Sequence, residues 1–351
     1  MTLPFDPAQI KIDRPPFSVF EILRKIGQGA ITLNPDFQRN VVWDATQQSR
    51  LIESLLLHIP LPSFYLDARD TTNRQVIDGL QRLTALLNFC QKKTLRLQGL
   101  ELLSDLNGLT FDDLTPEQRT TIEDTKLTII EIQAGTPEQV TFHIYQRINT
   151  GGLYLNNQEI RHALYLGKAS QWLKQQAETE IFALATNNQV DDTRMQAREC
   201  VLRFIAFRLY DYQKAFADAG VHSFDELLNR SMQELNSMSD AQLDQYANDL
   251  ADSLRKVYAL FDELAFREVR ENQPTGPFNK ALFEIWTNLL TRYPIATLET
   301  DPVKTALQEG SLELMTNDAA FFAAIQPNAD TQEQIAYRFG VVSSLIQSVL
   351  T

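Results

Sequence analysis

The hydrophobic periodicity of this chain changes once, and that change limits the folds open to it. Up to about residue 168, strand-like runs alternate with helical spacing; beyond it only helical spacing remains. In the first part "IPLPSFYLDA", "RQVIDG" and "KLTIIEIQ" read as strands. "SVFEILRKIGQG", "ATQQSRLIESLLLH", residues 80–92, "TPEQVTFHIYQRIN" and "LNNQEIRHALYLG" read as helices. "AITLNPDFQRNVVW" reads as a short strand leading into an ordered loop. Thr136 is expected to cap one helix, with Pro137 at its first position, and Asn156 or Asn157 the next. "RMQARECVLRFIAFRLY", "SFDELLNRSMQEL", "DAQLDQYANDLADSLRKVYALFDEL", "NKALFEIWTNLLTRY" and "TQEQIAYRFGVVSSLIQSVL" are the clearest helices of the second part. The expectation is an α+β protein: a mixed α/β domain over 1–168 and an all-helical domain over 169–351.

Charge separates the two parts as well. Residues 1–168 hold 17 Lys/Arg and 19 Asp/Glu, a net of −2, whereas residues 169–351 hold 15 and 26, a net of −11. Phosphate neutralisation needs clustered cations, so a nucleotide or DNA is expected at the first domain. No run approaches the roughly 20 apolar residues of a membrane span. The N-terminus has no basic region followed by an apolar run, so no secretory signal is read there. Cys90 and Cys200 fall in helical apolar patterns and read as reduced core thiols of a cytoplasmic protein. His58, His143, His162 and His222 are scattered, without the spacing of a zinc site or a histidine-rich nuclease motif.

Four stretches of the first part concentrate polar side chains where packing does not ask for them: "PDFQR" (35–39), "IDGLQR" (77–82), "RINTGG" (147–152) and "NNQEIRHAL" (156–164). In the second of these, a strand turns at Asp78-Gly79 into a helix. A helix start offers unpaired N–H groups, a glycine lets an anion come close, and an arginine grips phosphate with two parallel bonds. The plainer alternative is that Asp78 caps the helix and Arg82 is a surface side chain. Arg147 and Asn149 stand beside two glycines between helices. Glu159 and Arg161 sit in the first turns of the next helix, where Glu159 either holds a divalent cation or activates water, or simply answers the helix dipole and a salt bridge. Gln38 and Arg39 precede Trp43 in a loop; Arg39 reads as a second phosphate or base contact, or the loop is pinned only by its aromatics.

"NPDFQRNVVW", "LIESLLLHIPLPSFYL", "VIDGLQRLTALLNF", "YQRINTGGLYLNNQEIRHALY" and "RECVLRFIAF" follow one another in that order. In this the chain resembles the GmrSD-type N-terminal domain family, whose hallmark is a DGQQR motif on a ParB/sulfiredoxin-like fold. "FNKALFEIW" and "QIAYRFGVVSSLI" are similar to its helical extension, so the resemblance runs over roughly 17–350. It implies a role in modification-dependent restriction and anti-phage defence, with nucleotide binding and hydrolysis at the motif, often with magnesium. Asp78, Gly79, Gln81 and Arg82 match the motif; Gln38 and Arg39 match the family's FQR element; Asn149 and Glu159 match its Asn…Glu element. Leu80 departs from the motif, which has Gln there, and falls with Leu83 and Leu87 on an apolar helix face. Many relatives carry a His-Asn-His nuclease domain; the isolated histidines make this chain read as the sensor half alone.

The leading expectation is therefore a nucleotide-binding protein of a defence system, with NTP hydrolysis left open. Arg39 and Arg82 would hold phosphates, Gln38, Gly79, Gln81, Arg147 and Arg161 would complete the nucleotide site, and Asp78, Asn149 and Glu159 would serve the chemistry with Mg2+ on Glu159. A separate nuclease or defence subunit would be the partner, and the base and oligomeric state stay open. Two other readings remain: a modified-DNA reader or metal-dependent nickase, and a non-enzymatic interaction protein with a degenerate site.

Overall fold

A computed structural model describes residues 6–33, 43–148, 155–269 and 276–351. The chain forms two compact units, Met1–Leu155 and Asn156–Thr351, and its class is α+β.

The first unit is built on a mixed sheet. In chain order it contains β1 (Ile12–Asp13), β2 (Pro16–Ser18), α1 (Val19–Gly27), β3 (Ile31–Thr32), α2 (Ala45–Leu56), β4 (Phe64–Ala68), β5 (Arg74–Asp78), α3 (Leu80–Leu86), α4 (Pro116–Asp124), β6 (Lys126–Gln133) and α5 (Glu138–Ile148). The strand order is β1-β6-β4-β5-β3, and β2 also pairs with β6. β6 shows why it is a strand: Leu127 and Ile129 are buried while Lys126 and Thr128 face out, a period of two. β4 runs parallel to β6, with Phe64 opposite Ile129 and Ala68 opposite Gln133. It runs antiparallel to β5, with a register irregularity at Tyr65/Leu66, and β5 runs parallel to β3. The end of β5 and the start of β4 therefore lie at one end of the sheet. The ends of β4 and β6 lie at the other end with the start of β5.

Helices α1 and α2 begin where side chains satisfy their first N–H groups. Ser18 and Glu21 form a reciprocal capping box on α1, as do Asp44 and Gln47 on α2. The core gathers Ile22, Ile52, Phe64, Leu66, Leu83, Leu86, Phe89 and Ile129, all at most 1% exposed. Each such side chain contributes about 1.5–3 kcal/mol of apolar burial. The helix expected over 80–92 is α3 continued by a wider π turn at Leu87–Gln91. Thr136, expected as a cap, has its hydroxyl on the Lys11 backbone, accepting from the N–H at 3.1 Å and donating to the carbonyl.

The second unit is helical: α6 (Asn157–Leu164), α7 (Lys168–Ala177), α8 (Glu180–Ala185), α9 (Gln196–Leu209), α10 (Ala215–Ala219), α11 (Phe224–Ser237), α12 (Asp240–Phe261), α13 (Lys280–Leu290), α14 (Ile295–Leu298), α15 (Asp301–Asn317), α16 (Ala319–Ala324) and α17 (Gln332–Leu350). Among its described residues the sole β feature is an isolated bridge between Arg267 and Phe278. α13 is its axis, with residues 281–290 all buried and α9, α12 and α17 packed around it. A carboxylate sits on that axis. Glu284, 0% exposed, accepts from Arg203 at 3.0 Å and from Arg338. Arg203 also pairs with Glu199 at 3.0 Å and with Asp330, and its guanidinium lies 4.6 Å from the Phe224 ring centre. Lys280 closes the group on Glu199. Burial alone would raise the Glu199 pKa, but Arg203 and Lys280 hold it down to about 2.

Both cysteines are free, Cys200 buried and Cys90 half-buried. Burial pushes each thiol up to about 12. Among the described residues no helix is long and apolar enough to cross a membrane.

Candidate functional site

The Asp78–Arg82 turn lies at the end of the sheet where β5 finishes and β4 begins. Asp78 is the last residue of β5. Gly79 follows with φ +100°, a left-handed conformation that a side chain disfavours. No side chain caps α3. A Cβ on Gly79 would lie 2.4 Å from Cδ1 of Phe64, so this glycine is also required by the ring beneath it. Leu80 is 8% exposed, a packed residue where the family motif has an amide.

Arg82 is equally buried, at 8%. One of its terminal amino groups donates to the Pro62 carbonyl, and the other to the Ser63 carbonyl at 3.0 Å and to Asp78 Oδ2 at 3.0 Å. Its guanidinium stands 4.2 Å from the centre of the Phe64 ring. Burial lowers its pKa, and Asp78 works against that shift. Gln81 accepts from the Trp43 N–H at 3.4 Å, and Gln48 donates to the Trp43 carbonyl at 3.0 Å. Trp43 is thus held at this turn. Gln38, Arg39 and Asn149 lie outside the described residues.

Arg147 is exposed in the last turn of α5. Glu159 and Arg161 belong to the second unit. Asn156 caps α6, as expected, accepting from the Glu159 N–H at 2.9 Å, while Glu159 Oε2 accepts from the Asn156 N–H at 2.7 Å. Arg194 then grips both Glu159 oxygens, at 2.8 and 2.7 Å, and this pairing raises the Arg194 pKa. Glu159 is 5% exposed. A magnesium ion does not fit there without displacing Arg194, so no chemical step is routed through it. Among the described residues no group of three His, Cys, Asp or Glu side chains is placed to hold a metal. Arg161, 1% exposed, reaches Asn229 at 3.1 Å, Gln158 at 3.3 Å and Asp225.

The opposite end of the sheet carries polar residues that sequence patterns did not single out. Asp67 in β4 takes a two-pronged grip from Arg69 and accepts from the Tyr145 hydroxyl at 3.1 Å. Burial, and then Asp67, drive the Tyr145 pKa well above its ordinary value. Glu131 in β6 accepts from Arg74 at 2.8 Å and from Gln133 at 3.0 Å. The available signal was a carboxylate inside each apolar strand, since a buried charge needs a partner. A depression of about 540 Å³ opens elsewhere, beside His58 and α4, and no motif residue lines it.

A mixed sheet with a strand–glycine–helix turn at one end, followed by a helical unit, defines an α+β protein whose candidate site is that turn. The model of the family described as GmrSD restriction endonuclease, N-terminal domain, matches residues 19–166, and the likeness carried by the sequence motifs is shown for that segment. The match takes in both the Asp78–Arg82 turn and the capped helix with Glu159 and Arg161. A comparison with curated proteins returned no match.

Proposed function

We propose that this chain serves a bacterial restriction or anti-phage defence system, and that its first unit binds a nucleotide at the Asp78–Gly79–Leu80 turn. The family matched over 19–166 supports the defence role. The observation that carries the nucleotide reading is the start of α3, which follows a positive-φ glycine and has no side-chain cap. First-turn N–H groups in that setting attract a phosphate. Gln81 and Arg147, with Gln38, Arg39 and Asn149 from the neighbouring motifs, are the proposed further contacts. Binding rather than hydrolysis is the activity proposed, because Glu159 is engaged on both oxygens.

The test is calorimetric titration of the chain with ATP, GTP, CTP and UTP, with and without magnesium. Saturable binding that weakens in Gln81→Ala is the expected result. No heat with any of the four removes the reading. A second reading, a non-enzymatic interaction protein, is favoured by the intramolecular engagement of Arg82, Glu159 and Arg161. Gel shifts with modified and unmodified duplexes at two salt concentrations address the modified-DNA alternative.

A further inference from the structure

We infer that Arg82 is a positioning residue, which locks the chain entering β4 onto the turn and takes no phosphate itself. The inference rests on the nucleotide reading for its consequence, but its structural half stands without any ligand. Residues 59–63 precede β4 outside the sheet, and Pro60 and Pro62 contribute no N–H. The Pro62 and Ser63 carbonyls at the end of this segment accept from a side chain. Arg82 serves both from one planar fork, turns its remaining reach to Asp78, and lays its face on Phe64. Phe64 is 0% exposed and meets Gly79 as well, where a Cβ would strike Cδ1. Gly79 and Arg82 thus act on the same ring, and between them they fix the turn against the start of β4. An arginine that left to grip a phosphate would release two carbonyls, a carboxylate and an aromatic face together. Ligand contact at this turn falls instead to backbone N–H groups and to side chains other than Arg82.

Two variants and two readouts test this. Hydrogen exchange without nucleotide is measured over residues 60–68 and 74–86 in Arg82→Lys and Arg82→Gln. Both are expected to exchange at least about ten-fold faster than the parent, the equivalent of one lost net hydrogen bond. Lysine does not rescue, because it has a point charge and no fork. ATP titrations are then run at two salt concentrations. A clamp predicts weaker binding in both variants with an unchanged slope of log Kd against log salt, whereas loss of a phosphate contact flattens that slope. Retained protection and retained affinity in Arg82→Lys, with a flattened slope in Arg82→Gln, overturns the inference. If either variant does not fold, the nitrogen-15 signals of the parent's Arg82 guanidinium decide: they stay put on ATP addition for a clamp and move for a phosphate ligand. If ATP binds no form of the protein, the exchange data still judge the clamp, and the failure belongs to the nucleotide reading alone.

Discussion

Substituting Gly79 by alanine tests the geometry of the turn most directly. Two effects add. The residue has φ +100°, and left-handed backbone raises the energy of an L-residue by about 1–2 kcal/mol. The new Cβ also falls 2.4 Å from Cδ1 of Phe64. That ring is wholly buried under the Arg82 guanidinium, so it cannot swing into solvent. Overpacking of this kind destabilises by about 1–3 kcal/mol. The expected total is roughly 2–5 kcal/mol of lost stability in the first unit. A global melt mixes the transitions of two units. The urea dependence of hydrogen exchange over residues 64–68 and 74–90 isolates the first. Adding Phe64→Leu to Gly79→Ala makes room for the Cβ and should recover part of the loss relative to either effect summed separately. A decrease below about 0.5 kcal/mol, the range of an ordinary surface change, refutes the reasoning. Strict additivity of the two substitutions would show that the ring is not what Gly79 avoids.

Three other perturbations have defined outcomes. Glu159→Gln keeps an acceptor for the Asn156 N–H but loses the charge that Arg194 grips; the second unit should lose about 1–2 kcal/mol in urea unfolding, with nucleotide affinity unaltered. A fall in nucleotide affinity instead would return Glu159 to the ligand. Glu199 has a folded pKa of about 2 against an ordinary 4.5, so its ionised form stabilises the fold above pH 4.5, and that contribution disappears as pH falls through about 2. The difference corresponds to about 3 kcal/mol, readable as a falling urea midpoint of the second unit between pH 5 and pH 2 that is shallower in Glu199→Gln. Leu80→Gln places an amide at a position 8% exposed and should lower first-unit stability by about 1–3 kcal/mol; tighter nucleotide binding in this variant would mean that Leu80 had been quietening the site.

The parts of this protein that follow from local pattern were legible in its sequence. β6 occupies the alternating run "KLTIIEIQ" residue for residue, α2 fills most of "ATQQSRLIESLLLH", and Asn156 caps α6. The loss of strands in the second part was legible for the same reason, since helical spacing is a property of neighbouring residues. What escaped was set by distance along the chain. Nothing near Arg82 foretells that it will serve carbonyls 19 and 20 residues earlier. Glu159 finds Arg194 across 35 residues, and Glu284 finds Arg338 across 54. A motif shows which polar residues are unusual, but whether they face a ligand or the protein's own main chain depends on partners brought by the fold. The lone carboxylates in β4 and β6 were a signal of that kind, because an apolar strand does not bury a charge unaided.

The charged group around α13 bears on more than the stability of its own unit. Arg161, Arg198, Lys256 and Arg338 are at most 5% exposed, and Arg203 is largely enclosed by the carboxylates it serves. Meanwhile Glu178, Glu180, Asp240, Asp244, Glu263, Asp301, Glu309 and Glu313 face outward. Glu159, Glu268 and Glu284 are at most 6% exposed as well, so folding buries cations and anions in nearly equal number and leaves the acidic excess of this unit at the boundary with water. An approaching polyanion feels the boundary more than the interior, and its field decays over about 8 Å at physiological ionic strength. The helical unit consequently carries its formal negative charge at its surface, where it repels nucleic acid and more readily meets a basic protein surface.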